Sequence, residues 1–149
     1  MTIRPLRPAD PEERAAWHRL RRALWPDCED AMHAYEIARH LMRGDDTTVL
    51  MAETEQGLIG FAELSIRARV EGSTEDRVGY LEGWYVEPAW QGRGVGRRLI
   101  EAGEQWTRTH GLNELASDAE LSNEGSIAAH HALGFQETFR IVQFLKRLD

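Results

Sequence analysis

The apolar and polar positions of this chain fall into short segments that switch between a period of two and a period near four. Residues 2–7 open with a strand-like stretch. Asp10-Pro11-Glu12-Glu13 then reads as a helix start: a capping Asp, a Pro at the first helical position and acids in the first turn. Trp17, Leu20 and Leu24 continue that helix until Trp25-Pro26 stops it. Met32, Tyr35, Ile37 and Leu41 predict a second helix over residues 31–43, ended by Gly44. The pattern then becomes strand-like. Residues 47–53 and 58–66 predict a hairpin turning at Glu55-Gln56-Gly57. Residues 69–76 are polar and carry Gly72, as a loop does. Residues 78–86 predict another strand, with Gly83 marking a bulge. A helix over about residues 94–109, closed by Gly111, leads to a short strand at 114–117. Ser122 or Asn123 caps a helix ending at Leu133-Gly134, and residues 135–146 predict the final strand or strands. This order predicts an α/β (α+β) fold: one domain over residues 1–149, its mixed, mostly antiparallel sheet flanked by helices.

Composition narrows the partners. Hydrophobic residues make up 42% and charged residues 29%, an ordinary globular balance. No apolar run approaches bilayer-spanning length, and the first eight residues lack the apolar stretch of a signal peptide. With 25 acids against 18 bases the formal charge is -7, which disfavours a phosphate backbone and attracts cationic small molecules. The single Cys28 cannot form an internal disulfide, and no nearby Cys-His pair marks it as a nucleophile. The expectation is a cytoplasmic protein that binds neither nucleic acid nor membrane.

The densest chemistry lies in Gln91-Gly92-Arg93-Gly94-Val95-Gly96, between a strand and a helix carrying Leu99 and Ile100. Glycine lets a backbone turn sharply and approach a ligand closely. The helix start adds unpaired N–H groups and the positive end of the dipole, a natural pyrophosphate site. Arg93, Arg97 and Arg98 add charge around it. No Gly-Lys-Ser/Thr follows, so the spacing is not that of a nucleotide-binding Walker loop. Taken alone, the glycines fit a flexible turn equally well.

The stretch from Val86-Glu87-Pro88 through Gln91-Gly92-Arg93-Gly94-Val95-Gly96-Arg97 to Leu99 resembles the acetyl-CoA motif of the GNAT acyltransferase family. Downstream, Asn123, a helix and Ala132-Leu133-Gly134-Phe135 are similar to that family's Asn…Gly-Phe element. The resemblance implies acetyl-CoA as cosubstrate, with amides at Gln91, Gly92, Arg93, Gly94, Val95, Gly96 and Arg97 on the pyrophosphate. It also implies that backbone at Trp84, Tyr85 and Val86 pairs with the pantetheine arm, and that the Asn123 side chain contacts the cosubstrate. A finer resemblance covers nearly the whole chain. Leu24-Trp25-Pro26, Gly60-Phe61-Ala62-Glu63-Leu64, Leu81-Glu82-Gly83, Ala116-Ser117-Asp118 and His131-Ala132-Leu133-Gly134-Phe135 look like the aminoglycoside 6′-N-acetyltransferases of that superfamily. That resemblance implies a cationic aminoglycoside as amine substrate and a homodimer as the assembly. Other amines, such as a polyamine or peptide, and a non-catalytic acyl-CoA-binding module are the alternatives.

An attacking amine must be neutral. With a pKa of about 10, an ammonium costs about 4 kcal/mol to deprotonate at neutral pH. Glu82, on the strand before the glycine turn, is the expected general base. Asp118, just past a short strand, is expected at the same cleft on substrate ammonium groups. Trp25 offers an aromatic face to sugar rings or cations, or fills the core; Glu36 reads as a solvated helix position. Two positions depart from the resembling families. His130 stands where many GNATs place a Tyr that protonates the leaving thiolate, and Ala68-Arg69-Val70 replaces an Asp-Tyr pair common in the aminoglycoside enzymes. Nothing suggests a metal site.

Overall fold

A computed structural model describes all residues, 1–149. Four helices and five strands follow one another as β1 (Thr2–Pro5), α1 (Pro11–Leu24), α2 (Asp30–Met42), β2 (Thr47–Thr54), β3 (Gly57–Ala68), β4 (Arg77–Val86), α3 (Val95–Thr109), β5 (Leu115–Ser117) and α4 (Glu124–Ala132). The expected helix and strand order holds through α4. The caps form as their residue types dictate. Asp10 accepts from the backbone N–H of Glu12 and Glu13 ahead of Pro11, and Asn123 accepts from Ser126.

The strands lie in the order β1-β2-β3-β4-β5. The first four run antiparallel, and β4 meets β5 in parallel over Gly79–Leu81 only. Alternation along each strand separates two cores. One face gathers Leu50, Ala62, Leu64 and Leu81 under Val95, Leu99 and Ile100 of α3. The other gathers Val49, Met51 and Phe61 under Trp17 and Leu20 of α1 and Ile37 of α2. At the far edge, Arg4 of β1 pairs with Glu13 of α1 and Glu53 of β2, each at 2.7 Å. This lowers the Glu13 carboxyl below its ordinary value of 4.5, the hydrogen bonds from Arg4 outweighing its burial.

The β3–β4 ladder slips once. Glu63 pairs with Gly83 and Leu64 pairs with Leu81, which leaves Glu82 as the extra residue of a β-bulge. The bulge sits one residue before the glycine that signals it in the sequence. Alternation therefore breaks there: Tyr80 and Glu82 share the α1–α2 face, and Gly83 faces that side too, against Trp25.

One expectation fails. Residues 135–149 form no strand. A strand needs a partner for its N–H and C=O groups, and these residues pair with no strand of the sheet, whose β5 edge spans three residues. Phe135 packs on the α3-side core, but beyond it Phe139, Ile141, Val142, Phe144, Leu145 and Leu148 are all exposed, Phe144 to 88%.

Candidate active site

On the α1–α2 face, the bulge presents Glu82 to a set of polar side chains that the strand alternation brings together. The Ser65 hydroxyl donates to Oε1 of Glu82 at 2.6 Å. Arg67, two residues further along β3, forks onto the same carboxylate: Nε reaches Oε1 at 2.8 Å and Nη2 reaches Oε2 at 2.5 Å. The Arg67 guanidinium lies 3.6 Å from the centroid of the Tyr80 ring. The Tyr80 hydroxyl donates to Asp118, just beyond β5. Burial first, and Asp118 second, push the Tyr80 phenol well above its usual range. Glu82 and Asp118, the two expected site carboxylates, thus meet in one network through Arg67 and Tyr80.

Trp25 stands beside this network, against the residue that follows Glu82. A Cβ at Gly83 would lie 2.4 Å from Cη2 of the indole, so only glycine admits the ring there. The other face of Trp25 is held by Arg21, whose guanidinium carbon is 4.7 Å from the ring centroid. Arg21 is a fixture: its side chain is 2% exposed, and it pairs with buried Glu63 on one side and Glu36 on the other. Trp17 Nε1 also donates to Glu63, at 2.7 Å. Trp25 is therefore half-buried and locked, and Glu36 is drawn from the open helix face toward it. The nearby donors Cys28, His33 and Glu36 lie within 4.8 Å of one another. Both ring nitrogens of His33 already engage Arg21 and the Trp25 carbonyl, and Glu36 engages Arg21.

The other expected residues cluster on the α3 side. Gly92 and Gly94 adopt φ of 73° and 80°, a region that disfavours side chains, and the space beside each is open. Gly94 is the N-cap of α3, and no side chain caps that helix. The amides of its first turn therefore point outward uncapped, the arrangement that binds phosphates. Pairing with β5 ends at Leu81, so β4 from Glu82 to Val86 keeps one open main-chain edge. Trp84 packs on Gly96 there, and its buried Nε1 has no hydrogen-bond partner. An open strand edge, an orphaned indole N–H and an uncapped helix start fit a long ligand ending in a diphosphate.

Several expected contacts take different forms. The Gln91 side chain donates to the Val86 carbonyl at 2.8 Å, and Val95 points into the core. Tyr85 faces α1, lining a cavity of about 420 Å³ with Leu20, Ala23 and Pro88, so only its backbone serves the open edge. Arg93 lies over Trp90, and Arg97 is exposed. Arg98, expected to add charge near the turn, instead donates to the Met1 carbonyl at 3.0 Å. Asn123 uses its carbonyl oxygen as a helix cap, leaving its NH₂ free for a ligand. His130 joins the wall opposite Trp84, edge-on at 5.7 Å. Nδ1 lies 2.7 Å from the Ser126 carbonyl, and Nε2 lies 2.8 Å from the Ser117 hydroxyl, which also donates to the Leu81 carbonyl at 3.2 Å. Both ring nitrogens of His130 are thus engaged within the chain and tie α4 to β5.

Sequence reasoning passed over Ser65, Arg67 and Tyr80. The available signal was spacing: Glu63, Ser65 and Arg67 alternate on one strand, as Tyr80 and Glu82 do on the next.

Comparisons with known proteins identify the family and the fold. Residues 14–135 match the model of the acetyltransferase (GNAT) family. An aminoglycoside N(6′)-acetyltransferase type 1 from Stenotrophomonas maltophilia is 43% identical over 145 residues, covering 97% of this chain and 94% of that one. One of the same name from Klebsiella aerogenes is 41% identical, covering 96% of each. The crystal structure of the aminoglycoside 6′-N-acetyltransferase AAC(6′)-Ig from Acinetobacter haemolyticus superposes with a TM-score of 0.90 at 38% identity, covering 100% of both chains. AAC(6′)-Iy in complex with a bisubstrate analogue, CoA-S-monomethyl-acetylneamine, superposes with a TM-score of 0.87 at 35% identity, covering 99% of this chain and 98% of that one. This chain belongs to the GNAT family of acetyltransferases, which take their acetyl group from acetyl-CoA.

Proposed function

We propose that this chain, working as one domain, transfers the acetyl group of acetyl-CoA to the 6′-amine of an aminoglycoside. The observation that carries the reading is the placement of Glu82. The bulge sets its carboxylate on the amine side of the very strand whose open edge leads to the α3 glycine turn. Amides at the start of α3 hold the diphosphate, the β4 edge from Trp84 to Val86 pairs with the pantetheine arm, and the free NH₂ of Asn123 adds a donor. Acetyl-CoA supplies an acyl carbon activated by its thioester. Trp25 and Asp118 orient a cationic sugar, and Glu82 removes a proton from its ammonium, directly or through a water. The neutral nitrogen attacks the acyl carbon, the carbon–sulfur bond breaks as that nitrogen loses its second proton to solvent, and solvent returns a proton to the thiolate. The relatives at 36–43% identity bear the name of this reaction.

The test is acetyl transfer, read as thiol release, to a kanamycin-type acceptor with a 6′-amine and to its 6′-hydroxy counterpart. Turnover confined to the amine is expected. Equal turnover of both rejects the 6′ assignment.

The tail supports a homodimer as the working assembly. Its apolar residues are those of an unpaired strand, and β5 is an open sheet edge. A second copy meets both needs at once. Light scattering should give twice the 17.0 kDa chain mass, and removal of residues 138–149 should yield monomer. A full-length monomer at high micromolar concentration would reject the pairing. The one cysteine, Cys28, is unpaired, which accords with a cytoplasmic setting.

A further inference from the structure

Arg67 occupies the base before any substrate arrives. Its fork and the Ser65 hydroxyl together engage both oxygens of Glu82. The guanidinium is a permanent cation: the hydrogen bonds to Glu82 above all, and Asp118 among the nearby charges, raise its pKa beyond the usual arginine range. It therefore stands where a transient cation, the substrate's ammonium, has to come, and it has no proton to give.

Two arginines on this face show the contrast between a fixture and an exchangeable group. Arg21 is 2% exposed and bonded through Nε, Nη1 and Nη2. Arg67 is 43% exposed, bonds to nothing but Glu82, and leaves Nη1 without a partner in the chain. It rests on the flat face of Tyr80, along which a guanidinium slides without losing a directional bond. Arg67 is also the last residue but one of β3, beside the solvent-exposed loop.

We propose that Arg67 is a resident cation that the substrate's ammonium group displaces from Glu82, and that this competition selects amines carrying more than one positive charge. The proposal rests on the reading of Glu82 as the base for an aminoglycoside amine. A monoamine exchanges one cation for another at Glu82 and gives up a bidentate pair to do so. A polycation also reaches exposed Asp118, a carboxylate to which Arg67 makes no hydrogen bond. Displacement is then favourable for the polycation alone, and selectivity comes from an internal competitor as well as from attractive contacts.

The experiment compares wild type, Arg67→Gln and Arg67→Lys with two acceptors: a polycationic aminoglycoside bearing a 6′-amine, and a 6-amino-6-deoxyglucoside with a single amine. Arg67→Gln should lower KM for the monoamine by about tenfold relative to the polycation. Arg67→Lys, which keeps the charge and loses the fork, should fall between. The KM for acetyl-CoA should not change. In ¹⁵N-arginine-labelled wild type, the Nε–H resonance that Arg67→Gln removes should shift when the polycation is added. A KM that rises for both acceptors with the ratio unchanged would overturn the proposal and make Arg67 a prop for Glu82. A resonance unmoved at saturating polycation overturns it equally. If wild type acetylates neither acceptor, the aminoglycoside reading fails, and the resonance, followed with spermine as the cation, still decides whether displacement occurs.

Discussion

Under α3, the surface offered to a ligand is main chain: amides of an uncapped helix start and the open edge of β4. Under α1 and α2 it is side chain: Trp25, Glu82, Arg67, Tyr80 and Asp118, drawn from a helix end, two strands and the segment just past β5. The two surfaces share one strand and meet at its bulge. Main-chain recognition suits a ligand part that never changes, such as a diphosphate, because every residue carries the same amide. Side-chain recognition suits a variable partner, because each position can be exchanged without altering the backbone. The division predicts that substitutions on one face leave the affinity of the other face intact.

Glu82→Gln should break the amine side most severely. It should lower kcat by about a hundredfold or more, the usual weight of a general base, and leave the dissociation constant of acetyl-CoA unchanged. A kcat within twofold of wild type across pH 6 to about 9 would remove Glu82 from the role. Gly94→Ala tests the opposite face. A side chain at φ 80° is strained, and relieving that strain turns the first amides of α3. The KM for acetyl-CoA should rise about tenfold, with the amine KM fixed. Parallel rises in both constants would mean that the faces are not separable. Asp118→Asn should raise the polycation KM by about threefold to tenfold, through loss of one charge-assisted contact, again with no effect on acetyl-CoA.

The smallest effect lies at the β1 edge, remote from both surfaces. Glu13 has a depressed folded pKa, so its share of stability is complete above the unfolded value near 4.5 and is lost as pH falls through the folded value. Denaturant titrations between about pH 6 and pH 3 should show stability falling with acid, and Glu13→Gln should flatten that slope. An unaltered slope would place the acid sensitivity elsewhere. Comparing this profile with the pH profile of kcat separates acid loss of fold from acid loss of chemistry.

The two surfaces were unequally legible. The glycine turn is local: its residues are consecutive, their conformational demand is intrinsic, and the helix they open announces itself by Leu99 and Ile100. The Ser65–Glu82–Arg67 contacts depend on register, which spacing within a single strand does not specify. Gly83 hinted at the bulge, but that Glu82 is the doubled residue follows only from which β3 residues pair beside it. The tail was misread for a related reason. Alternating apolar residues state that a segment can pair, and say nothing of whether a partner edge lies within the same chain. Arg98 was misplaced because its helix turn lies beside the amino terminus, a neighbour no local pattern reveals.

The bulge at Glu82 also bears on how this enzyme can diverge. Point replacement along β4 changes what a position carries but not which way it faces. Losing or gaining one codon between Arg77 and Glu82 would rotate the carboxylate through the sheet and bury it among Leu50, Leu64 and Leu81, where an unpaired charge is intolerable. A descendant of this chain thus keeps the chemistry only if this segment holds its length as well as Tyr80 and Glu82.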